Sequence, residues 1–509
     1  MELTTYRGHI RNFAPLCDEL GIDSSLSREE REREILLRGF EKWGNALPDH
    51  LYGMFAFAIE HEGKVTAFRD HFGTKSFYYY VTADGKLLYG TMIRDIMDKD
   101  GFVKELDQSQ LQIYLSLTYP AGKNTFFKGV KKLMPGHYLE FEDGRLTVTR
   151  YWHPTYAPDR SKTAEEWADL IHSTLLDIMK EVKTPDETAE SFLSGGVDSS
   201  YVLAVSDAVC ANSCGYDEER FDESRVAAKT AELLGVRHSI AKITPEIFFE
   251  CVPYVMYNME LPLGDASAIV FTLGCLSAAE HTKLCYSGEG SDEFFGGYNM
   301  YRNAERYGED LKNFYVGNTN IMKEDEKQRL LRHYDPDLLP ISLARDIYKD
   351  DEGLDPLTMM MDVDVNLYLE GDIYLNVDKM SAASGLEVRM PLTDRRIFDI
   401  ASRIPSEIKI TPEQNKVPLR MAAAKVLPDE IAYRKKLGFI VPIRLWLADE
   451  RYNSDVRRLF FSPVAAKFFN QYELDKIYNE YKGGNSDLWR KIWTVYTFLV
   501  WYEEYFIKR

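Results

Sequence analysis

Cationic side chains are in short supply. The 509-residue chain carries 62 Lys and Arg against 81 Asp and Glu, a formal charge of −19. Binding a phosphate backbone needs a basic face, so a nucleic-acid partner is not expected. Such a charge keeps a soluble chain dispersed. Long apolar runs are missing as well. No stretch approaches the ~18 consecutive apolar residues of a membrane span, so no membrane partner is expected. The opening, MELTTYRGHIRN, lacks the apolar core of a secretory signal. Cysteine is sparse: the six are Cys17, Cys210, Cys214, Cys251, Cys275 and Cys285, with no C-x-x-C and no zinc-ligand spacing. That excludes a disulfide scaffold and makes free thiols in a reducing cytoplasm the expectation. Internal repeats and low-complexity tracts are also absent. What remains is an ordinary globular composition, 45% hydrophobic, too apolar for a disordered chain. At ~150 residues per domain the length suggests roughly two to four domains.

The pattern changes along the chain. Residues 29–44 read as an amphipathic helix with Ile35, Leu36, Leu37, Phe40 and Trp43 on its apolar side and Gly44 as its stop. Three hairpins follow, turning at Glu62-Gly63, Asp84-Gly85 and Asp143-Gly144, with a helix near 107–117. A polar stretch with two prolines, HPTYAPDRSKTAEE, reads as a linker that ends in a helix start at Ser161 or Thr163. This divides the chain at 1–155 and 160–509. Beyond the linker, short apolar segments at 191–193 and 284–286 alternate with helices, which suggests a parallel sheet covered by helices. From Asp362 onward the reading is almost wholly helical. The aromatic-rich tail, LWRKIWTVYTFLVWYEEYFIKR, is read as a core helix.

The sharpest local signal is SFLSGGVDSS at 191–200. An apolar stub runs into two glycines and then a helix start. Gly195 and Gly196 let backbone N–H groups approach an anion, and Ser194, Ser199 and Ser200 add hydroxyl donors. The helix N-terminus favours negative charge at the same point. Open α/β sheets bind ligands at such strand ends. The loop is not a Walker A motif, because G-x-x-x-x-G-K-[ST] is absent. Asp198 inside a phosphate cradle would repel the ligand unless a cation lay between them, which points to a Mg²⁺ ligand. The alternative is a Gly-Gly turn with Asp198 as a helix cap. LCYSGEGSDEFFGGY at 284–298 repeats the pattern. Asp292 could give the same metal a second carboxylate. Glu289, between Gly288 and Gly290, could face a ligand from a tight turn; a solvated acidic turn is the other reading. In VDKMSAASGLEVRMPLTD at 377–394, Lys379, Glu387 and Arg389 sit among small and apolar residues. Buried charges need partners or ligands, and a helix salt-bridge network would also satisfy them. YRKKLGFIVP at 433–442 offers Lys435 and Lys436 as cations over a phosphate or as solvated surface.

Together these motifs resemble a known family. SGGVDSS looks like the phosphate loop of N-type ATP pyrophosphatases. With YSGEGSDEFFGGY, KMSAASGLEVRMPLTD and RKKLGFIVPI in this order, the chain resembles class B, glutamine-dependent asparagine synthetases. FFKGVKKLMPGHYLEF and RDHFGTKSFYYY are similar to that family's glutaminase domain, so the resemblance covers essentially the whole chain. It implies an α/β and α+β architecture. Residues 1–155 would be a truncated Ntn-type αββα glutaminase domain. Residues 160–509 would be a parallel-sheet N-type ATP pyrophosphatase synthetase domain with an all-helical C-terminal part. The implied reaction uses ATP and Mg²⁺. Aspartate's side-chain carboxylate attacks the α-phosphate, giving β-aspartyl-AMP and pyrophosphate, and ammonia converts the acyl-adenylate to asparagine and AMP. By the same resemblance the loop Ser194, Gly195, Gly196, Asp198, Ser199 and Ser200 holds pyrophosphate, and Asp198 and Asp292 hold Mg²⁺. Ser287 and Gly288 contact the nucleotide, and Phe192 and Cys214 line its adenine side. Lys379 and Lys436 neutralise phosphates, Arg389 lies near the substrate carboxylate, and Glu289 is the general base for ammonium. Lactam-forming relatives carry Tyr where this chain has Glu289, which favours amide formation from ammonia. An adenylating amide ligase acting on another carboxylate, a peptide or lactam-forming relative, is the alternative.

The glutaminase half departs from the family pattern. The family's nucleophile is a Cys exposed as residue 1 after Met removal. Here residue 2 is Glu2, and Cys17 lies within LCDEL. The family's Asn-Gly-Glu-Ile-Tyr-Asn appears as Arg7-Gly8-His9-Ile10-Arg11-Asn12, which puts Arg7 in place of the oxyanion-hole Asn. Gly-Ser-Asp-x-Glu reads Arg31-Glu32-Arg33-Glu34. What precedes Arg7 is short by on the order of 70 residues, less than one ~150-residue domain. The expectation is a cytoplasmic ligase without glutaminase activity. Its partners would be aspartate and free ammonia, or glutamine through a partner protein or a longer gene product. A homodimer is left open.

Overall fold

Thirteen strands among the described residues form three sheets. The computed structural model describes residues 1–183, 187–435 and 440–509. In the first domain β1 (Glu2–Ile10), β2 (Gly53–His61), β3 (Lys64–Arg69), β7 (His137–Glu142) and β8 (Arg145–Arg150) make one antiparallel sheet in the order β1-β2-β3-β7-β8. A second, smaller sheet runs β5-β4-β6, from β4 (Tyr78–Val81), β5 (Leu87–Gly90) and β6 (Lys131–Lys132). Both central residues of the Glu62-Gly63 and Asp143-Gly144 turns have positive φ, as two-residue hairpins with the natural strand twist require.

Alternation along β2 explains the layering. Phe55, Phe57 and Ile59 pack against the helices Phe13–Leu20 and Arg28–Trp43. The intervening Ala56 and Ala58 face Phe77, Tyr79 and Leu133 of the second sheet, and small side chains there let the sheets approach. Tyr78, on the far face of the second sheet, joins the core that contains the helix Ser109–Leu117. The layers are therefore helix, sheet, sheet, helix. The helix read at 29–44 spans Arg28–Trp43 and opens on a capping box between Ser27 and Glu30.

The second domain starts where Thr163 and Glu166 form another capping box at the head of the helix Ala164–Val182. Its sheet is parallel, in the order β11-β10-β9-β12-β13. The strands are β9 (Ala189–Phe192), β10 (Cys210–Gly215), β11 (Arg237–Lys242), β12 (Leu284–Tyr286) and β13 (Glu387–Arg389). The chain leaves β9 toward β10 on one side and returns as β12 on the other, so the order reverses between β9 and β12. The crevice for a ligand opens at such a switch point. The helical reading from Asp362 onward is interrupted by β13, whose three residues are too few to show a period of two. Trp493 and Trp501 of the helix Trp489–Tyr502 are fully buried, as a core role requires. No helix among the described residues is long and apolar enough to cross a membrane.

The two domains meet through buried charge of opposite sign. Arg11 pairs with Asp394 at 2.8 Å, and Arg69 and Lys132 pair with Glu370 at 2.9 and 2.8 Å. Arg7 and Lys75 reach Asp378 at 3.1 and 3.3 Å. In each pair the first domain supplies the cation and the second the carboxylate. The neighbouring cations hold the Asp378 and Asp394 carboxyls down to about 2 against the cost of burial.

Candidate active site

Register builds the site. Tyr286 of β12 lies opposite Ser191 of β9, so the loops that follow both strands emerge side by side. Gly195 has φ of +79°, and a Cβ there would stand 2.7 Å from Val226 Cγ1. A Cβ on Gly288 would stand 2.8 Å from the backbone of Asp198 and Ser199. Only glycine permits this contact between the loops. The helix Val197–Val205 then starts with Gly196 at its cap and Asp198 in its first turn. The Ser194 hydroxyl lies 3.1 Å from that of Ser199, which also accepts the Ser194 N–H.

The crevice is a cavity of about 530 Å³. Phe192, Ser194, Gly195, Gly196, Asp198, Ser199, Cys214, Ser287, Gly288, Glu289 and Asp292 all line it. At one end Phe192 and Phe271 stand 5.4 Å apart, with Cys214 and the bare backbone of Gly274 beside them, an apolar slot that suits a purine. Burial pushes the Cys214 thiol up to about 12, so it packs as a neutral group.

The two acidic loops converge on one cation. Lys416 Nζ lies 2.8 Å from Asp198 Oδ2, 2.7 Å from Asp292 Oδ1 and 2.8 Å from Ser291 Oγ. One ammonium therefore already links the two carboxylates expected to hold Mg²⁺. Asp198 Oδ1 is buried with no hydrogen-bond partner among the described residues. Two carboxylates beside a phosphate cradle suit Mg²⁺, which keeps water and substrate phosphates in its shell. Lys416 escaped the sequence reading because NKVPLR has no motif character, although Lys416 itself takes a positive φ of 57°. Arg434 was also missed: its guanidinium donates to Gly195 O at 3.1 Å and ties the 433–435 segment to the 194–200 loop.

Three expected site residues lie elsewhere. Ser200 is fully buried and donates to Gly196 O at 2.7 Å, so its hydroxyl serves the helix backbone. Lys379 does not reach the cavity. Val377 lines it, and two residues correspond to about 200° around a helix, so Lys379 faces the first domain. It donates to Thr91 O at 3.2 Å and lies 4.7 Å over the Tyr78 ring, both in the first domain, and pairs with Glu260 of its own domain at 2.6 Å, both side chains of the pair fully buried. The Arg389 guanidinium is buried among Val182 O, Glu387 and Glu187 on the other side of β13. Its backbone carbonyl serves the site by accepting the Ser287 N–H at 2.9 Å. Both charges thus follow the salt-bridge alternative. Lys436 lies outside the described residues. Replacing Lys379 by Met should lower unfolding free energy by about 1.5–3 kcal/mol, because the buried Glu260 loses its shortest charged partner and keeps Arg94 at 3.3 Å and the Ile93 and Arg94 N–H groups at 2.9 Å. Urea denaturation checks this, and unchanged stability would return Lys379 to a ligand role.

Comparison with known proteins gives the family. The family model described as asparagine synthase matches residues 171–503, and that of a glutamine amidotransferase domain matches residues 2–152. The chain is 30% identical to asparagine synthetase [glutamine-hydrolyzing] 1 of Bacillus subtilis, covering 98% of this chain and 84% of the relative. It is 28% identical to a putative asparagine synthetase [glutamine-hydrolyzing] of Mycobacterium bovis, over 98% and 83%. It is 26% identical to the amidase chyE of Penicillium rubens, over 82% and 71%. The chain belongs to the asparagine synthase family, ligases of ATP-dependent amidation.

Proposed function

We propose that this chain converts aspartate, ATP and ammonia to asparagine, AMP and pyrophosphate through β-aspartyl-AMP. The observation that carries the reading is the single cavity in which the phosphate loop, the Asp198 and Asp292 carboxylates and Glu289 converge beside an apolar slot. Purine in the slot places the phosphates over Ser194, Gly195, Gly196 and Ser199, whose N–H and hydroxyl groups hold the leaving pyrophosphate. Ser287 and Gly288 press on the nucleotide from the second loop. Asp198 and Asp292 would hold Mg²⁺, which offsets phosphate charge when bound. Lys436 remains the proposed cation from the 436–439 segment. The aspartate carboxylate forms a bond to the α-phosphorus as the α–β bridge breaks. Ammonium then loses a proton to Glu289, and the resulting ammonia displaces AMP from the acyl carbon.

Ammonia as the nitrogen source is supported by the first domain. Burial raises the thiols of all six cysteines, whereas a catalytic thiol is activated by a lowered pKa. Arg7 donates to Asp378 O at 2.6 Å and pairs with its carboxylate, a tie between domains. ATP–pyrophosphate exchange with aspartate and with other carboxylates, followed by product assay, tests both parts. Exchange should be fastest with aspartate, and this chain should make asparagine from ammonium and not from glutamine. Faster exchange with another carboxylate would move the substrate assignment. Synthesis from glutamine at low ammonium would overturn the ammonia reading.

A further inference from the structure

One helix serves both domains. It begins as Pro356–Val363, continues through a π-helical stretch at Asp364–Tyr374 and ends as Leu375–Ala383. Each hydrogen bond of a π-helix reaches one residue further than in an α-helix, so the side chains beyond it are turned relative to an unbroken α-helix. Such stretches are rare, seldom exceed one turn and concentrate at functional sites. This one spans eleven residues. Tyr368 and Ile373 of the stretch, and Asn376 and Val377 just after it, line the cavity. Tyr374 ends the stretch, fully buried, and packs on the turn that carries Glu289: a Cβ on Gly290 would stand 2.7 Å from the Tyr374 hydroxyl oxygen.

The opposite face is held by the first domain. Glu370 Oε1 accepts from Arg69 Nη1 at 2.9 Å and Oε2 accepts from Lys132 Nζ at 2.8 Å, with none of the three side chains more than 3% exposed. Arg69 is itself fixed, donating to the carbonyls of Lys75, Leu133 and Gly73 at 2.6, 2.7 and 2.8 Å. Lys132 also donates to Pro120 O at 2.9 Å. Gly371 lets Tyr119 come close, since a Cβ there would stand 2.6 Å from the Tyr119 ring. That ring meets Tyr368 edge-on, with centroids 5.8 Å apart. Against the cost of burial, Lys132 and Arg69 hold the Glu370 carboxyl below its ordinary value. Uncommon backbone persists where its surroundings hold it, and here much of the hold comes from the other domain.

We propose that the first domain positions the synthetase site: Arg69 and Lys132, gripping Glu370, hold the π-helical stretch in the register that sets Tyr374 against Gly290 and so aims Glu289. The task needs no thiol. The inference rests on the ligase reading and on Glu289 as its proton acceptor. Arg69, Lys132 and Glu370 do not line the cavity, so they act as positioning residues. The triad carries one positive charge in excess, so removing Lys132 leaves a neutral Arg69–Glu370 pair and no orphaned charge.

Wild type, Lys132→Met and Lys132→Arg are compared for ATP–pyrophosphate exchange with aspartate, for asparagine synthesis from ammonium, and for amide hydrogen exchange over 286–292 and 364–378. Thermal midpoints confirm folding, and Glu370→Gln takes the place of Lys132→Met should that variant fail to fold. Lys132→Met should lower synthesis by ~10–100-fold, as a displacement of up to about 1 Å at a reacting group does, with pyrophosphate exchange far less affected. Lys132→Arg should recover most of the loss. Hydrogen exchange should quicken in both segments of Lys132→Met, since both lose part of their hold. Synthesis and pyrophosphate exchange that fall together, or synthesis that does not fall, overturn the proposal in a folded variant. Absence of pyrophosphate exchange with every carboxylate in the wild type overturns the ligase reading instead. Hydrogen exchange then decides the clamp by itself, and in either case an unchanged 286–292 segment overturns it.

Discussion

Glu289→Gln should cut asparagine synthesis by ~10²–10⁴-fold, the usual contribution of a general base, while ATP–pyrophosphate exchange with aspartate continues. Adenylation needs the phosphate cradle, the two metal carboxylates and a deprotonated substrate carboxylate, and Glu289 is none of these. Its proposed task begins later, when ammonium must lose a proton to become a nucleophile. Glutamine keeps the size and hydrogen bonding of the side chain and removes its basicity. Gly288 and Gly290 hold the position on a tight turn, and Gly290 has φ of +85°, so the backbone should not move with the change. Exchange and product formation measured on one preparation decide the matter. If both fall together, Glu289 acts in adenylation and the proton goes elsewhere. Raising pH, which supplies more free ammonia, should recover part of the variant's synthesis on the proposed assignment.

The second large effect is expected at Gly297, which has no chemistry of its own. A Cβ there would stand 1.7 Å from Asp292 Oδ1 and 2.2 Å from Lys416 Cε. Real atoms do not approach so closely, so Gly297→Ala must push the carboxylate and the ammonium apart. Its backbone is not in the left-handed region, so alanine brings no torsional strain. The clashing atoms belong to side chains, and the fold can absorb their movement. The expected result is a loss of ~10²-fold or more in ATP–pyrophosphate exchange, since a misplacement of about 1 Å at a reacting centre costs that much. The thermal midpoint should change little. A variant with wild-type exchange would show that Asp292 need not hold its position. A variant that fails to fold would show that the 290–298 loop is part of the structural core.

Legibility in the sequence followed locality. Turn dipeptides placed the hairpins, because Gly63, Gly85 and Gly144 each take the positive φ that glycine adopts at no steric cost. The loop after β9 was legible as a turn into a helix because its glycines, serines and helix start are contiguous. The acidic loop after β12 was legible for the same reason. Lys416 and Arg434 were not, because each acts through a contact with a distant segment: Lys416 with residues at 198 and 292, Arg434 with Gly195. Lys379 and Arg389 show the converse. Their apolar surroundings announced burial correctly, but burial against a ligand and burial against a carboxylate leave the same trace in a sequence.

The sequence by itself determined the family, because its motifs are runs of residues adjacent in the chain. Tertiary structure alone decided which charges reach the cavity. Strand order made loops that are far apart in sequence neighbours at the switch point between β9 and β12. Helix and strand geometry then turned Lys379 and Arg389 away, into ion pairs with Glu260 and with Glu187 and Glu387. A charged side chain takes the partner that folding brings within about 3 Å, and no local pattern states which one that is.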